Sequence, residues 1–355
     1  MTDKPSATAT AESEVQPTAG TPEAGRPPGH AAGRVRGLDR RQLINLALRY
    51  TTLVLLAALV IAATILDDTF WDENNLRNLI TQFTPIGLVA IGMTYVIIAG
   101  NFDLSVGAIF LGSTLLVAGI TGELPIWLAM VVTVLVGMGL GLVNGLIITQ
   151  FRVNSFIATI GTGSIIGGLA LVYSDALPVS IPPDVTGFNT LGAGLVFGFP
   201  WAGVLLIAAF ALFAFLLHRT VYGRWVYAVG GNAEAARLVG IRVNAVKVST
   251  FATVGAFAAL AGVVTASNLN GFSSPAPTIG ASTALDAFTI VVIGGTSVYG
   301  GEGALWRTAS GLAIYAVLQN LFNTQGLSFA DQRIAMGVLL VLALGLNALG
   351  KARGA

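Results

Sequence analysis

The sequence predicts an all-α, polytopic membrane protein with about ten transmembrane helices, some of them broken, in two weakly similar halves. Two measures of composition and one of patterning predict this fold class. Of the 355 residues, 54% are hydrophobic and only 10% are charged, whereas a soluble domain carries about a quarter of charged residues. The charges cluster between long apolar runs, several of which reach the ~20 residues needed to cross roughly 30 Å of hydrocarbon.

Residues 1–41 form a segment of a different kind, rich in Pro, Ala, Gly, Thr and Glu. Such a segment cannot bury enough apolar surface to offset the entropy lost on ordering, so we predict a disordered cytoplasmic tail. It has no signal-like apolar stretch with a cleavage site, and we expect it to remain on the mature protein. Four arginines between 34 and 41 precede the first apolar run, which places the N-terminus in the cytoplasm.

The predicted transmembrane domain covers 42–350, and a cytoplasmic C-terminus covers 351–355. Its ten spans lie at about 45–66, 83–99, 105–121, 126–149, 155–173, 198–217, 248–267, 285–299, 304–323 and 331–349. When the spans alternate from a cytoplasmic start, only Arg77 and Arg333 of the 18 basic residues fall outside. Both termini are therefore predicted to be cytoplasmic, and two longer outer loops are predicted at 174–197 and 268–284.

Two segments in the two halves resemble each other. VIIAGNFDLSVGA at 96–108 and VVIGGTSVYGGEGA at 291–304 each read as an apolar helix that ends at Gly, a short polar break, and a Gly-Ala restart. Gly-interrupted spans in matching positions of two halves are typical of transport sites. The predicted topology gives both breaks the same orientation, which indicates a parallel repeat.

The first break contains Asp103, a carboxylate at the edge of an apolar stretch. Since an ionised carboxylate in hydrocarbon is costly, Asp103 must face protein, water or a helix terminus. The favoured interpretation makes it the N-cap of the next helix, accepting from the amides of Ser105 and Val106. The alternative places Asp103 and Asn101 in a solute pathway, and the two roles are compatible.

Several chemistries find no support in the sequence. The second break contains Gly294, Gly295, Gly300, Gly301 and Gly303, but no Gly-Lys-Ser/Thr ending occurs in the chain, so we expect no P-loop for ATP. Close helix packing or a re-entrant turn accounts better for these glycines. With no cysteine and two histidines, a metal site is not expected. No catalytic residue, cofactor or nucleic acid partner is predicted.

The predicted cytoplasmic loop at 218–247 reads HRTVYGRWVYAVGGNAEAARLVGIRVNAVK. Asn232 is a good N-cap, the following residues through Leu238 make about two helical turns, and Gly240 is a stop signal. A short amphipathic helix buries little by itself and should pack on something. It either lies on the membrane or its own protein, or it docks into the groove of a cytoplasmic partner.

Four motifs, in this order, identify a family resemblance: GNFDLSVGA, NGLIITQFRVNSFIATIG, TVYGRWVYAVGGNAEAARLVGIRV and LDAFTIVVIGGTSVYGGEGA. The chain resembles the permease subunits of bacterial ABC importers for monosaccharides, the ribose/xylose/arabinose-type group, over roughly residues 75–348. It departs from the family's usual pattern at Asn101-Phe102, where Gly-Ile is common, at Asn154-Ser155, where proline is common, and in its long N-terminal tail.

The resemblance implies partners. A separate ABC ATPase would seat on a coupling helix, an extracytoplasmic solute-binding protein would deliver a sugar, and a second permease copy would complete a homodimer in the lipid of the bacterial inner membrane. Carried over residue by residue, the coupling helix comprises Asn232, Glu234, Ala235, Ala236, Arg237, Gly240 and Ile241. The chain itself is then a transport subunit and not an enzyme.

A neutral sugar calls for hydrogen bonds along its path. The candidate pathway residues are Asn101, Asp103, Ser105, Asn144, Phe156, Thr159 and Thr162. Alternatives within the family are a nucleoside, autoinducer-2 or a branched-chain amino acid. A secondary transporter is disfavoured because Asp103, Asp286 and Glu302 all fall at predicted breaks or ends and not within a span.

Overall fold

A computed structural model describes residues 51–182, 185–269 and 277–354. The predicted tail at 1–41 and the start of the first predicted span lie outside these residues. The described helices are α1 (Thr51–Leu66), α2 (Glu73–Ile98), α3 (Val106–Ile120), α4 (Ile126–Phe151), α5 (Ser155–Tyr173), α6 (Thr190–Ala193), α7 (Trp201–Arg219), α8 (Val221–Gly231), α9 (Ala233–Leu238), α10 (Val243–Asn268), α11 (Pro277–Ile293), α12 (Leu305–Thr324) and α13 (Phe329–Gly354). A two-stranded hairpin, β1 (Leu195–Val196) and β2 (Phe199–Pro200), precedes α7.

Within the described ranges, five helices are long and apolar enough to cross a membrane: α2, α4, α5, α7 and α10. Three shorter helices, at Thr52–Leu66, Val106–Ile120 and Ser282–Ile293, are also apolar. The all-α, polytopic class is therefore confirmed. The count of ten spans, the two similar halves and the sidedness of the termini stay predictions.

Four predicted spans agree with α3, α4, α5 and α12 to within two residues, but others were placed wrongly. α2 begins at Glu73 and not at 83, because side-chain contacts hold its polar first turns. Asn320 of α12 donates to the Asn75 side chain, and Arg77 donates to the Gly198 carbonyl. α11 begins at Pro277, inside the predicted loop at 268–284. It ends at Ile293, before the predicted 299, because Gly295 turns the chain with φ +87°.

The predicted loop at 218–247 is largely helical. α7 extends to Arg219, α8 occupies Val221–Gly231, and α10 begins at Val243. α8 was not predicted; Thr220 caps it by accepting from the Gly223 amide at 3.2 Å. At the other end of the chain, α13 continues to Gly354, so the segment predicted as a C-terminal extension at 351–355 is helical through that residue.

α10 lies at the centre of the bundle and packs on α2, α3 and α4. Its approach to α4 is close because glycines face each other there: a Cβ added at Gly141 would lie 2.1 Å from the Phe251 carbonyl oxygen. Small residues at such contacts let helix backbones come together, which is the usual way that membrane helices associate. The outward faces of α4, α5, α7 and α13 carry exposed large apolar side chains, the composition expected of surfaces that meet lipid.

Candidate functional site

The first break, between α2 and α3, is organised by a buried polar network. Asp103 is fully buried, and its Oδ1 accepts from the Ser105 amide at 2.8 Å and from the Ser105 hydroxyl at 2.5 Å. Asn144 of α4 in turn donates from Nδ2 to the Ser105 Oγ at 2.7 Å. The predicted bond from the Ser105 amide is therefore present. The N-cap of α3, however, is Ser105. Asp103 therefore accepts from the backbone amide of the capping residue and does not itself occupy the N-cap position.

α5 satisfies the remaining backbone of this break. The Phe102 amide donates to Ser155 Oγ and the Leu104 amide donates to Thr159 Oγ1, both at 3.1 Å. The start of α5 is itself fixed, because Asn154 accepts from the Phe156 amide at 2.9 Å. Since buried amides are costly when unpaired, these bonds hold the break in one conformation.

The predicted pathway residues separate into two groups. Asn101, Asp103, Ser105, Asn144 and Thr159 are buried at the first break, where Asn101 donates to the Ala99 carbonyl. Phe156 is about half exposed, and Thr162 makes a long bond to the Thr159 carbonyl at 3.4 Å. The network does not reach these two side chains, and a pathway role for all seven residues stays a prediction.

The two breaks meet at a cluster that we call the glycine junction, formed by Gly100, Gly230, Gly231, Gly300 and Gly301. The Gly301 amide donates to the Ile98 carbonyl at 2.8 Å, so the second break is hydrogen-bonded to the end of α2. The end of α8 lies against both: a Cβ at Gly230 would be 1.7 Å from the Ile98 oxygen and 2.7 Å from the Gly301 nitrogen. Only backbone fits between these three segments.

A side-chain bond reinforces the glycine junction. Tyr227, one turn before Gly230 on α8, donates from its hydroxyl to the Gly303 carbonyl at 2.7 Å. Gly300 and Gly301 have φ of +83° and +76°, in the left-handed region that favours glycine. The first break, the second break and the segment 218–247 are the three connections that the predicted topology puts on the cytoplasmic side. In the structure all three are in direct contact.

α9 follows the glycine junction without a linker. Asn232 ends α8 and caps α9, accepting from the Ala235 amide at 2.9 Å, as the sequence predicted. Gly240, at φ +84°, ends the helix, and the Ile241 amide donates back to the Ala236 carbonyl at 3.1 Å. The short helix between predicted cap and predicted stop is thereby confirmed.

The two faces of α9 differ. Ala236 is buried in the main hydrophobic core, with Ala233 and Ile241 packed beside it. The opposite side exposes Leu238 at 89% and Val239 at 76%, next to the Glu234–Arg237 ion pair of 2.7 Å. The sequence analysis missed these two apolar residues, whose exposure could not be inferred from a motif. Two exposed large aliphatic side chains on a protein-anchored helix form a surface suited to docking.

A cavity of ≈ 480 Å³ lies toward the other end of the bundle, between α2, α3, α10, α11, α12 and α13. Five amide side chains line it: Gln82, Asn268, Gln319, Asn323 and Gln332. Four aromatic side chains complete much of the wall: Phe83, Phe110, Tyr315 and Phe329. No sequence motif indicates this cavity, because its lining residues come from six different helices.

An ion pair links two helices at the cavity wall. Arg333 of α13 donates from one nitrogen to both carboxylate oxygens of Asp286, at 2.8 and 3.0 Å, and its guanidinium lies 5.0 Å from the centre of the Phe329 ring. Asp286 was predicted near the start of a span. It lies well inside α11 instead, because that helix begins at Pro277.

Comparison with known proteins places the chain in a family. Residues 75–344 match the model of a family described as "Branched-chain amino acid transport system / permease component". The ribose import permease protein RbsC of Bacillus subtilis is 40% identical over 288 residues, which cover 81% of this chain and 88% of that protein. RbsC of Escherichia coli K12 is 35% identical over 300 residues, 82% of this chain and 91% of that protein.

The similarity extends to a permease named for a different sugar. The L-arabinose transport system permease protein AraH of Escherichia coli K12 is 33% identical over 299 residues, 83% of this chain and 89% of that protein. No solved structure matches the chain.

Proposed function

Because the chain belongs to the family of branched-chain amino acid transport system permease components, we propose that it forms the membrane path of an ATP-driven monosaccharide importer. Like the permeases that it resembles, it is a transport component and not an enzyme. ATP is hydrolysed by a separate partner ATPase. The chain lies in the bacterial inner membrane as a multi-pass protein.

The solute class rests on two lines of support. The similar permeases are named for ribose and arabinose, although the family description names amino acids. The cavity is lined with amides, which both donate and accept hydrogen bonds, and its Asp286–Arg333 charges neutralise each other. A zwitterionic amino acid would need charges free to pair with it, so a neutral polyhydroxylated solute fits better.

A proton-coupled carrier is the alternative that one observation favours. Asp286 is an ionisable group within a helix, the position of proton relays in many pumps. Both oxygens of its carboxylate, however, already accept hydrogen bonds from Arg333. Together with the family, this pairing favours ATP-driven import.

Coupling to the ATPase is carried by one observation, the contact of α8, from which α9 continues, with both helix breaks. α9 exposes Leu238 and Val239 outward and continues directly from the glycine junction, where Gly230 touches Ile98 and Gly301. A partner that pulls on α9 therefore acts on the ends of α2 and α11 through backbone contacts. In this proposal α9 is cytoplasmic, and both termini are on the same side.

Import further requires an extracytoplasmic binding protein and a second copy of the permease. The binding protein delivers the sugar at the end of the bundle that carries the cavity. The exposed apolar faces of α4, α5 and α13 are available for a homodimer contact within the membrane. ATP binding must favour one access state over the other by several kcal/mol to drive accumulation.

The test is ATP-dependent uptake by the permease reconstituted in proteoliposomes with its ATPase and binding protein, using radiolabelled D-ribose and L-arabinose. We expect uptake of at least one sugar. The double variant Leu238→Asp/Val239→Asp should lose the ATPase on purification and reduce uptake at least tenfold. Phe197→Asp is the matched control, because Phe197 is a fully exposed apolar residue in the β1–β2 turn.

Two results would contradict the proposal. Normal uptake by the α9 double variant would remove α9 from the ATPase contact. Uptake of leucine but of neither sugar would overturn the monosaccharide assignment and support the amino acid alternative.

A further inference from the structure

We propose that the amide-lined cavity between α2, α3, α10, α11, α12 and α13 is a binding site for the sugar ring, with Asp286, which Arg333 holds in place, accepting from a hydroxyl. This inference rests on the proposed function and adds the place and chemistry of solute binding. It differs from the sequence-based pathway, in which Ser105, Asn144 and Thr159 bond within or to the first break.

The size and position of the cavity suit a small solute. Its ≈ 480 Å³ lies within the range of about 300–1,000 Å³ of small-molecule sites. It lies where α10 ends and α13 begins, at the end of the bundle away from the glycine junction. A solute bound there is therefore separated from the ATPase-facing end by most of the length of α2.

The cavity wall has hydrogen-bonding capacity left for a ligand. Gln82 and Asn268 line the cavity, and their side chains make no hydrogen bond to another described residue. Gln319 donates to Tyr315 at 3.2 Å and keeps its carbonyl oxygen for another donor. Each amide offers two donors on nitrogen and an acceptor on oxygen, and each sugar hydroxyl both donates and accepts. Amide clusters of this kind match a polyol better than an apolar or a charged solute.

The ion pair adds directional groups. A carboxylate accepts about four hydrogen bonds, and Asp286 accepts two from a single nitrogen of Arg333 and one from the Tyr315 hydroxyl. The bonds fix the orientation of the carboxylate and leave acceptor capacity for a sugar hydroxyl. Because the pair is already neutral, a polyol can bind without separating it, whereas a zwitterion would compete with it.

Aromatic side chains supply the apolar part of the site. Phe83, Phe110 and Phe329 line the cavity beside the amides, and Tyr315 closes against Phe83 with ring centres 6.0 Å apart. A sugar ring has C–H faces as well as hydroxyl edges, so a wall of rings and amides matches both. This mixture of apolar surface with a few polar groups is typical of small-molecule sites.

The test uses thiol protection, which the cysteine-free sequence makes simple. The full importer without ATP carries Gln82→Cys in the cavity or, as control, Gln325→Cys just beyond α12. A charged methanethiosulfonate reagent is applied with increasing D-ribose or L-arabinose, whichever the complex takes up, and with leucine as the unrelated solute. We expect the sugar to slow labelling at position 82 at least fivefold and to leave position 325 unchanged. Leucine should protect neither.

Cavity variants then assign the contacts. In the Gln82→Cys background, Asp286→Asn/Arg333→Gln removes both charges together. It should raise the sugar concentration for half-protection at least tenfold. Gln319→Leu is the second variant, in case the first does not assemble, and Gln150→Leu on α4 is the amide control outside the cavity. Each cavity variant should weaken protection, and the control should not.

The outcomes separate this inference from the proposed function. A complex that imports the sugar but shows no protection at position 82 at any sugar concentration overturns the cavity site alone. Protection that the charge-neutral pair and Gln319→Leu both leave unchanged overturns the assigned contacts. A complex that imports neither sugar contradicts the proposed function, and this inference fails with it.

Discussion

Replacing Gly230 by alanine should uncouple the permease, and the size of the effect follows from the glycine junction. The new Cβ would lie 1.7 Å from the Ile98 carbonyl oxygen and 2.7 Å from the Gly301 nitrogen. Both neighbours are backbone atoms, so no side chain can rotate away. α8 must move back from the two breaks, or the breaks must separate.

The cost has three parts. Overpacking of a buried contact costs about 1–3 kcal/mol. Loss of the bond from the Gly301 amide to the Ile98 carbonyl adds about 0.5–1.5 kcal/mol. Alanine within a helix recovers up to about 1 kcal/mol relative to glycine. The net cost is about 0.5–4.5 kcal/mol, concentrated at the contact that joins α8 to both breaks.

The neighbouring residue provides the control. A Cβ added at Gly231, the last residue of the same helix, meets nothing within 4 Å. Gly231→Ala should therefore keep uptake within twofold of the parent. Gly230→Ala should reduce ATP-driven uptake in proteoliposomes at least tenfold, and it should lower the thermal unfolding midpoint of the purified permease.

Two results would refute the role of the glycine junction in transport. If Gly230→Ala transports like the parent, the glycine junction does not carry the motion, whatever its effect on thermal stability. If Gly231→Ala is as defective as Gly230→Ala, the defect comes from the α8–α9 connection in general and not from the close backbone contact.

Two further variants test the helix contacts by thermal unfolding and uptake. Asp103→Asn should destabilise the protein by about 1 kcal/mol, because hydrogen bonds to a charged acceptor are stronger than those to a neutral one; a variant that unfolds like the parent but does not transport would place Asp103 in the solute path. Gly141→Ala should destabilise by about 1–3 kcal/mol, since its Cβ would lie 2.1 Å from the Phe251 carbonyl oxygen. Gly139→Ala, with nothing within 4 Å, is its control, and equal midpoints for the two would contradict the close α4–α10 contact.

Apolar length predicts a helix well when lipid and core surround it on all sides. α3, α4 and α5 fit that description, and their predicted bounds agree to within two residues. α11 does not, because Thr283 and Asp286 face a polar cavity and lower the hydropathy of its first half. α12 also lines the cavity, with Gln319 and Asn323, and is not among the five long apolar helices, yet its predicted bounds agree with the structure to within one residue. The polar residues of the cavity therefore shortened the apolar signal of α11 but not that of α12.

Local signals predicted the short helix α9, and tertiary contacts determined the rest of the site. The cap at Asn232 and the stop at Gly240 act within a few residues of themselves, so both were readable from sequence. The bond from Asn144 to Ser105 joins residues 39 apart in the chain, and the Gly301–Ile98 bond joins the two halves. Such pairs depend on how helices pack, and a single sequence does not contain that information.

The cavity and the glycine junction are connected by the same helices. α2 has Phe83 and Pro85 at the cavity and Ile98 at the glycine junction, about 22 Å along the axis for the fifteen helical steps from 83 to 98. α12 runs beside it, and the hydroxyls of Thr94 and Thr308 hydrogen-bond between the two at 2.8 Å. A shift of α8 at one end must therefore move α2 and α12 together. Pro85 removes one backbone donor from α2 beside the cavity, so bending the helix costs less at this point.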